Sequence, residues 1–203
     1  MHDQNREMFE LHQEFVRDYF EDAVIPQINS KSGEELLQEV VKQWNSYTIF
    51  AVLLNRLFDY INRNYLAQLG LRSLGHECQS EFKRKIAENL DDIIKNALQV
   101  QIQKERDGLE INRNVVKSLI QLYVDLGKEG SQKPVRKDGR FYWEGTPNLT
   151  YYEAQFEKPF LLRTKCHYRA KANWWEGELD LETFLRQVYS SIEREEENSN
   201  YWH

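Results

Sequence analysis

One run of the chain leaves the backbone little freedom. Between Cys78 and Arg106 the apolar residues Phe82, Ile86, Leu90, Ile93, Ile94, Ala97, Leu98 and Ile102 recur at steps of three and four. That spacing gathers them on one stripe of an α-helix, whereas a strand would send them to alternating faces. At ~1.5 Å rise per residue the helix is a rod of about 40 Å. Gly108 can stop it in the left-handed conformation. A rod with one apolar stripe needs neighbours to cover it, so the remaining segments should supply further helices.

They carry the same period. Met8, Leu11, Phe15, Tyr19, Phe20 and Ala23 mark a helix over about 4–24, ended by Pro26 and Asn29. Ser32 and Glu35 read as a capping box. Leu36, Leu37, Val40, Val41 and Trp44 then form one stripe, and Tyr47, Phe50, Leu53, Leu54, Leu57, Phe58, Ile61 and Tyr65 another, with Asn45-Ser46 as the break between them. The segment Gly70 to Gly75 is a short connection. Asn112 can cap a helix bearing Val115, Val116, Leu119, Leu122, Tyr123 and Leu126. A helix from Thr150 carries Tyr152, Phe156, Phe160, Tyr168, Trp174 and Trp175, kinked at Pro159. A last one follows Gly177 with Leu181, Phe184, Leu185, Val188, Tyr189 and Ile192. The pattern predicts an all-α fold of about seven amphipathic helices. With nine glycines and four prolines in 203 residues, turn residues are at half their usual share of about 12%. Four of those glycines and two of those prolines fall between Gly127 and Pro147, which reads as an inserted loop.

Composition excludes several function classes. No stretch approaches the ~20 apolar residues of a membrane span. Met1 to Glu7 lacks the apolar core of a secretory signal. The two cysteines, Cys78 and Cys166, make no disulfide framework, which fits a reducing compartment, cytoplasm or nucleus. With 27 basic against 33 acidic residues, the chain lacks the broad positive field that nucleic acid selects.

The residues offer little chemistry. His76-Glu77-Cys78 and Cys166-His167 match no zinc-finger or zincin spacing, and neighbours on a helix diverge by about 100°, so no thiol–imidazole pair is preformed. No phosphate loop or nucleophile elbow occurs. In the inserted loop Lys128, Lys133, Arg136, Lys137 and Arg140 outnumber Glu129 and Asp138, and Phe141-Tyr142-Trp143 follow. Basic residues beside aromatics can grip single-stranded nucleic acid or an acidic peptide; a surface insertion is the plainer reading. Catalytic, cofactor-binding and metal-ligating residues are therefore expected to be none, and the chain reads as a scaffold or interaction module.

Five short segments resemble one family in the right order. Leu53-Leu54-Asn55-Arg56-Leu57-Phe58-Asp59-Tyr60-Ile61-Asn62-Arg63-Asn64-Tyr65, with Trp44 and Tyr47 upstream, resembles the cullin segment V-L-N-x-L-F-x-Y-L-N-R-x-(W/Y). Glu105-Arg106-Asp107-Gly108 with Ile111 and Asn112 resembles the E-R-x-G-E-x-I-(N/D) turn, and Tyr123 to Gly127 resembles Y-V-x-L-G. Phe156-Glu157-Lys158-Pro159-Phe160-Leu161 is similar to F-E-x-P-F-L, and Tyr201-Trp202-His203 to Y-L-H. The resemblance implies the amino-terminal cullin-repeat stalk, in which five-helix bundles stack as repeats.

On that resemblance, residues 1–70 correspond to the last three helices of a first repeat. Residues 76–203 correspond to most of a second, with the insertion at 127–148. The family's stalk tip holds a substrate adaptor of the Skp, BTB or DDB type, and its far end a RING subunit. The chain would then be a non-catalytic scaffold piece of a ubiquitin ligase, leaning to the Skp and F-box class, and acting in cytoplasm and nucleus. The RING subunit would be a partner only if the carboxy-terminal half were present; neither nucleic acid nor membrane is expected as a partner. The adaptor surface in the family uses the second and fifth helices of the first repeat. The fifth matches Tyr47 to Tyr65, so Tyr47, Thr48, Ala51, Val52, Asn55, Arg56 and Asp59 are the candidate adaptor contacts, those after Tyr47 turned outward. The first two helices of that repeat have no counterpart, so the chain reads as an expressed fragment or a truncated paralogue. Three rivals stand beside this reading: an unrelated helical-repeat module or adaptor decoy, a thiol or metal enzyme built on His76, Cys78, Cys166 and His167, and a nucleic-acid binder using Arg136, Lys137 and Arg140.

Overall fold

A computed structural model describes residues 2–128, 133–144 and 148–202. The chain separates into two compact units, Met1–Leu149 and Thr150–His203. The first contains helices α1 (His2–Tyr19), α2 (Ile25–Asn29), α3 (Gly33–Leu57), α4 (Asp59–Ile61), α5 (Leu74–Lys85), α6 (Asp91–Arg106) and α7 (Arg113–Lys128), then strands β1 (Lys133–Lys137) and β2 (Arg140–Glu144). The second contains α8 (Thr150–Tyr152), α9 (Lys158–Glu178) and α10 (Leu181–Trp202). The expected repeat boundary between residues 70 and 76 lies inside the first unit.

The helix read over 78–106 starts four residues earlier, at Leu74, because Ser73 accepts the His76 N–H and so supplies the N-cap. It passes through a π-helical turn at Ile86–Leu90 and ends at Arg106. Its end closes as expected. Gly108 has φ 80°, its N–H bonds to the Glu105 carbonyl at 3.0 Å, and the Leu109 N–H reaches the Lys104 carbonyl at 2.9 Å; this is the paired closure of a Schellman motif. Glu105 is buried beside this turn, and the Arg113 guanidinium meets it at 2.6 Å. Asn112 caps α7, its Oδ1 accepting the Val115 N–H at 3.3 Å.

The core of the first unit is aromatic at its centre. Phe82 on α5 packs against Phe20 at 5.1 Å, Trp44 at 5.0 Å and Tyr47 at 5.3 Å between ring centroids. Leu37, Val40, Val24 and Ile28 extend it to one side, and Ile94, Leu98, Leu119, Tyr123 and Leu126 to the other, all buried. Tyr123 donates to Asp91 at 2.9 Å. Lys85, itself buried, forms an ion pair with Glu21 and holds that carboxyl below the usual carboxylate range.

Several boundaries differ from the sequence reading. No break occurs at Asn45-Ser46: α3 is one helix, because both residues sit on its exposed face while Trp44 and Tyr47 keep a single buried stripe. The Ser32–Glu35 capping box does not form; Ser32 makes no side-chain cap, and Glu35 turns to Lys31 at 3.7 Å. Pro26 does not end the first helix and Pro159 does not simply kink the later one. Each sits in the first turn of a helix, α2 or α9, and a π-helical turn, Phe20–Val24 or Glu153–Glu157, comes just before it. A proline ring collides with the carbonyl four residues back, and the wider π turn moves that carbonyl aside. Gly177 lies within α9, which ends at Glu178, and the Asp180 carboxylate caps α10 by accepting the Thr183 N–H at 2.7 Å.

The insertion, read as a loop, contains an antiparallel hairpin with Lys137 opposite Arg140 and Lys133 opposite Glu144. Its two-residue turn is Asp138-Gly139, with φ of 49° and 77°. Both signs are those of a type I′ turn, which matches the twist of paired strands and favours this dipeptide. In the second unit Tyr152, Phe156 and Phe160 stack in sequence, and the Tyr168 hydroxyl donates to Glu195 at 2.7 Å, tying α9 to α10.

Candidate docking face

The seven positions singled out on α3 and α4 divide into two groups. Tyr47 is 3% exposed and wedged between Phe20 and Phe82; burial pushes its hydroxyl far above the usual phenol range. Ala51 is buried against α5, where its carbonyl would lie 2.5 Å from a Cβ placed on Gly75. The Asn55 Oδ1 accepts the Gly75 N–H at 2.9 Å and a hydrogen bond from Asn62 Nδ2 at 3.3 Å. The Asn62 Oδ1 in turn accepts the Leu74 N–H at 3.0 Å. The two asparagines of the L-N-R-L-F-D-Y-I-N-R segment thus satisfy the first two orphan N–H groups of α5. Ala51 and Asn55 are therefore turned inward, not outward as expected: the close α3–α5 crossing at Gly75 claims both. Thr48 is half-buried and donates to the Trp44 carbonyl at 3.0 Å. Asp59 pairs with Arg63 at 2.7 Å. Val52 and Arg56 are exposed.

Around Val52 and Arg56 the outer side of α3 is apolar. Ile49, Leu53, Leu57 and, just beyond, Tyr60 are exposed, Leu57 by 77%. A second stripe lies on α1. Met8, Leu11, Phe15 and Tyr19, read from the sequence as its core face, are exposed; the buried face is Val16 and Phe20, continued by Val24 and Ile28. This helix carries two apolar stripes side by side, and only one can face α3 and α5. Phe15 and Tyr19 from α1 and Gln43, Ser46, Tyr47 and Phe50 from α3 line a groove of about 270 Å³. Phe9 and Phe58 pack on the same small cluster of Ile61, Tyr65, Leu66 and Leu74, so the start of α1 lies beside the end of α3. Phe15 and Tyr19 of the α1 stripe line this groove, whereas Ile49, Val52, Leu53 and Leu57 of the α3 stripe lie outside its lining. Exposed apolar surface of this kind is a candidate interaction face.

The residues considered for chemistry do not converge. The Cys78 thiol is buried, and burial with Glu77 and Glu81 nearby pushes it up to about 12. Its neighbour His12, with Nε2 at 3.6 Å, is held below its ordinary value by burial. His76 is engaged with Ser73 at 2.7 Å, and His167 packs edge-on against Tyr168. Cys166 is exposed on α9, in the other unit. Among the described residues no three His, Cys, Asp or Glu side chains cluster as a metal site, and no helix is long and apolar enough to cross a membrane. Arg136, Lys137 and Arg140 lie on the hairpin, where Lys137 pairs with Glu144.

Comparison with known proteins matches residues 1–203 to the family model described as the cullin alpha solenoid domain. The chain is 27% identical over 202 residues to putative cullin-like protein 1 of Arabidopsis thaliana, covering 99% of this chain and 26% of that protein. It is 25% identical over 197 residues to cullin-like protein 3 of the same plant, covering 97% of this chain and 70% of that protein. Cell division control protein 53 of Saccharomyces cerevisiae is 27% identical over 203 residues, covering 97% of this chain and 23% of that protein. The chain thus spans about a quarter of the first of these relatives.

Proposed function

The chain belongs to the cullin family, and on that premise we propose that it works as a non-catalytic stalk segment of a ubiquitin-ligase scaffold. In this reading the groove between α1 and α3 docks a substrate-receptor adaptor, and the helices beyond it set distance towards a RING end. The observation that carries the reading is the pair of exposed apolar stripes on α1 and α3, which leave large side chains in water. Relatives named cullin-1 and cell division control protein 53 favour an adaptor of the Skp type with an F-box receptor, ahead of a BTB type. Residues 1–70 and 76–203 act as parts of two successive repeats, and the site of action is cytoplasm and nucleus. Of the seven candidate contacts, Val52 and Arg56 meet the adaptor directly. Tyr47 contributes the floor of the groove, Thr48 and Asp59 flank it, and Ala51 and Asn55 act by fixing α3 against α5.

A pull-down of purified Skp-type and BTB-type adaptors tests this, using the chain alone and the chain extended by two upstream cullin helices. Leu53→Asp and Leu57→Asp, both at exposed positions, should weaken adaptor capture by about tenfold or more while leaving the helical circular dichroism unchanged. Capture of neither adaptor by the extended chain defeats the proposal, as does capture that both aspartate variants leave intact.

A further inference from the structure

The hairpin β1–β2 takes no part in the docking face, and its backbone geometry points to a different partner. Its turn is two residues long, so Lys137 and Arg140 form the hydrogen-bonded pair beside it. Alternation along an antiparallel ladder makes Val135 with Tyr142, and Lys133 with Glu144, hydrogen-bonded pairs as well. The backbone groups of residues 134 and 136 on β1, and 141 and 143 on β2, therefore point away from the partner strand. The two outer edges differ. Position 134 is a proline, which offers no N–H and blunts the β1 edge. Positions 141 and 143 each present a donor and an acceptor, and among the described residues no third strand pairs with them.

The free edge is complementary to itself. The strand reads Arg140-Phe141-Tyr142-Trp143-Glu144. Laid antiparallel on a second copy about Tyr142, position 141 of each copy falls opposite position 143 of the other. Both are outward positions, so each becomes a hydrogen-bonded pair that exchanges two main-chain bonds. The same register sets Arg140 opposite the second copy's Glu144 at both ends, a favourable cross-strand pair. A one-residue slip would match inward with outward positions, and a two-residue slip would lose both charge pairs. We propose that β2 is a homodimerisation edge, joining two copies of this chain through an antiparallel sheet in the order β1–β2–β2–β1 with two-fold symmetry. Pro134 then stands at both outer edges of that sheet, which ends assembly at the dimer. The contact is far smaller than a standard interface, so the association is weak and needs high protein concentration.

Sedimentation velocity over rising concentration, combined with amide hydrogen exchange, tests this on the full chain. The wild-type chain should shift towards a dimer, and the N–H groups of Phe141 and Trp143 should gain protection as it does. The inward N–H of Tyr142 should be protected throughout. R140E sets Glu against Glu at both ends and E144R sets Arg against Arg, so each alone should self-associate about tenfold more weakly. Mixed in equal amounts, they restore opposite charges at both ends and should form a heterodimer at wild-type strength. A chain that stays monomeric overturns the proposal. So does a dimer that neither variant weakens, or a mixture no tighter than its components. If either variant unfolds the hairpin, the wild-type exchange pattern decides alone: a dimer without protection at 141 and 143 refutes the edge contact.

Discussion

Replacing Gly75 by alanine probes the contact that fixes α3 against α5. A Cβ at this position would lie 2.4 Å from Asn55 Nδ2, 2.5 Å from the Ala51 carbonyl oxygen and 2.7 Å from Asn55 Cγ. The Asn55 side chain can swing, but the Ala51 carbonyl is main chain within α3, so α3 and α5 must separate. Overpacking of a close contact costs about 1–3 kcal/mol. Displacing Asn55 also leaves the Gly75 N–H, now bonded at 2.9 Å, without its acceptor in a buried place, for about 1 kcal/mol more. Against this, alanine gains at most about 1 kcal/mol of helix propensity over glycine. The net expectation is a destabilisation of about 2 kcal/mol, or about 4–8 °C in melting temperature for a unit of this size. Urea unfolding followed by circular dichroism at helical wavelengths measures it. The double variant N55A/G75A removes the asparagine contacts but not the Ala51 carbonyl, so it should recover only part of the loss. A G75A chain as stable as wild type, or more so, would mean that the helices do not approach here, and would undo the placement of Ala51 and Asn55 as inward residues.

Gly177→Ala is the matching control, because a Cβ at Gly177 meets nothing within 4 Å; it should raise the stability of α9 by about 0.5–1 kcal/mol in thermal unfolding. A thiol-specific aromatic disulfide at neutral pH should label the exposed Cys166 rapidly and the buried Cys78 only at the rate of unfolding; two fast thiols would contradict the raised Cys78 value. Burial lowers the His12 value from 6.5, so neutral His12 is the form the fold favours. Its contribution is complete above that pH and is lost as pH falls through the folded value. Glu77, raised by burial, works in the opposite direction as it takes up a proton. His12→Gln should therefore narrow the difference in urea midpoint between about pH 7 and about pH 5.5, and an unchanged difference would place the acid sensitivity elsewhere.

The helical part of the fold was legible because burial imposes a period. Phe82, Ile86, Leu90, Ile94, Leu98 and Ile102 lie on one buried line in both sequence and structure, and Gly108 ends that line by a backbone rule that needs no tertiary knowledge. Reading failed where two periodic solutions compete. On α1 the stripe Met8-Leu11-Phe15-Tyr19 and the stripe Phe9-Val16-Phe20 fit a helix equally well, and only contacts with Phe82 and Tyr47 choose between them. The hairpin was a different failure. Lys137-Asp138-Gly139-Arg140 carries the turn signal outright, but high charge and flanking glycines masked a strand pair of five residues a side. The prolines misled because a π turn, which leaves no trace in an apolar pattern, lets a helix pass through them.

The residues that carry the family resemblance and the residues that offer a surface are largely different ones, and the structure gives the reason. Asn55 and Asn62 look like outward polar positions in a helix. Their amides instead close the first turn of α5 from outside it, a service no apolar residue could give and that a shifted register would lose. Glu105 and Gly108 close α6, Asn112 opens α7, and Pro159 sits where a π turn admits it. Motif residues of this kind hold helices in a fixed crossing and therefore report architecture. The exposed side chains Ile49, Val52, Leu53 and Leu57 face water instead. Substitutions at Asn55 or Gly75 should lower stability and binding together, whereas substitutions at Leu53 or Leu57 should lower binding alone.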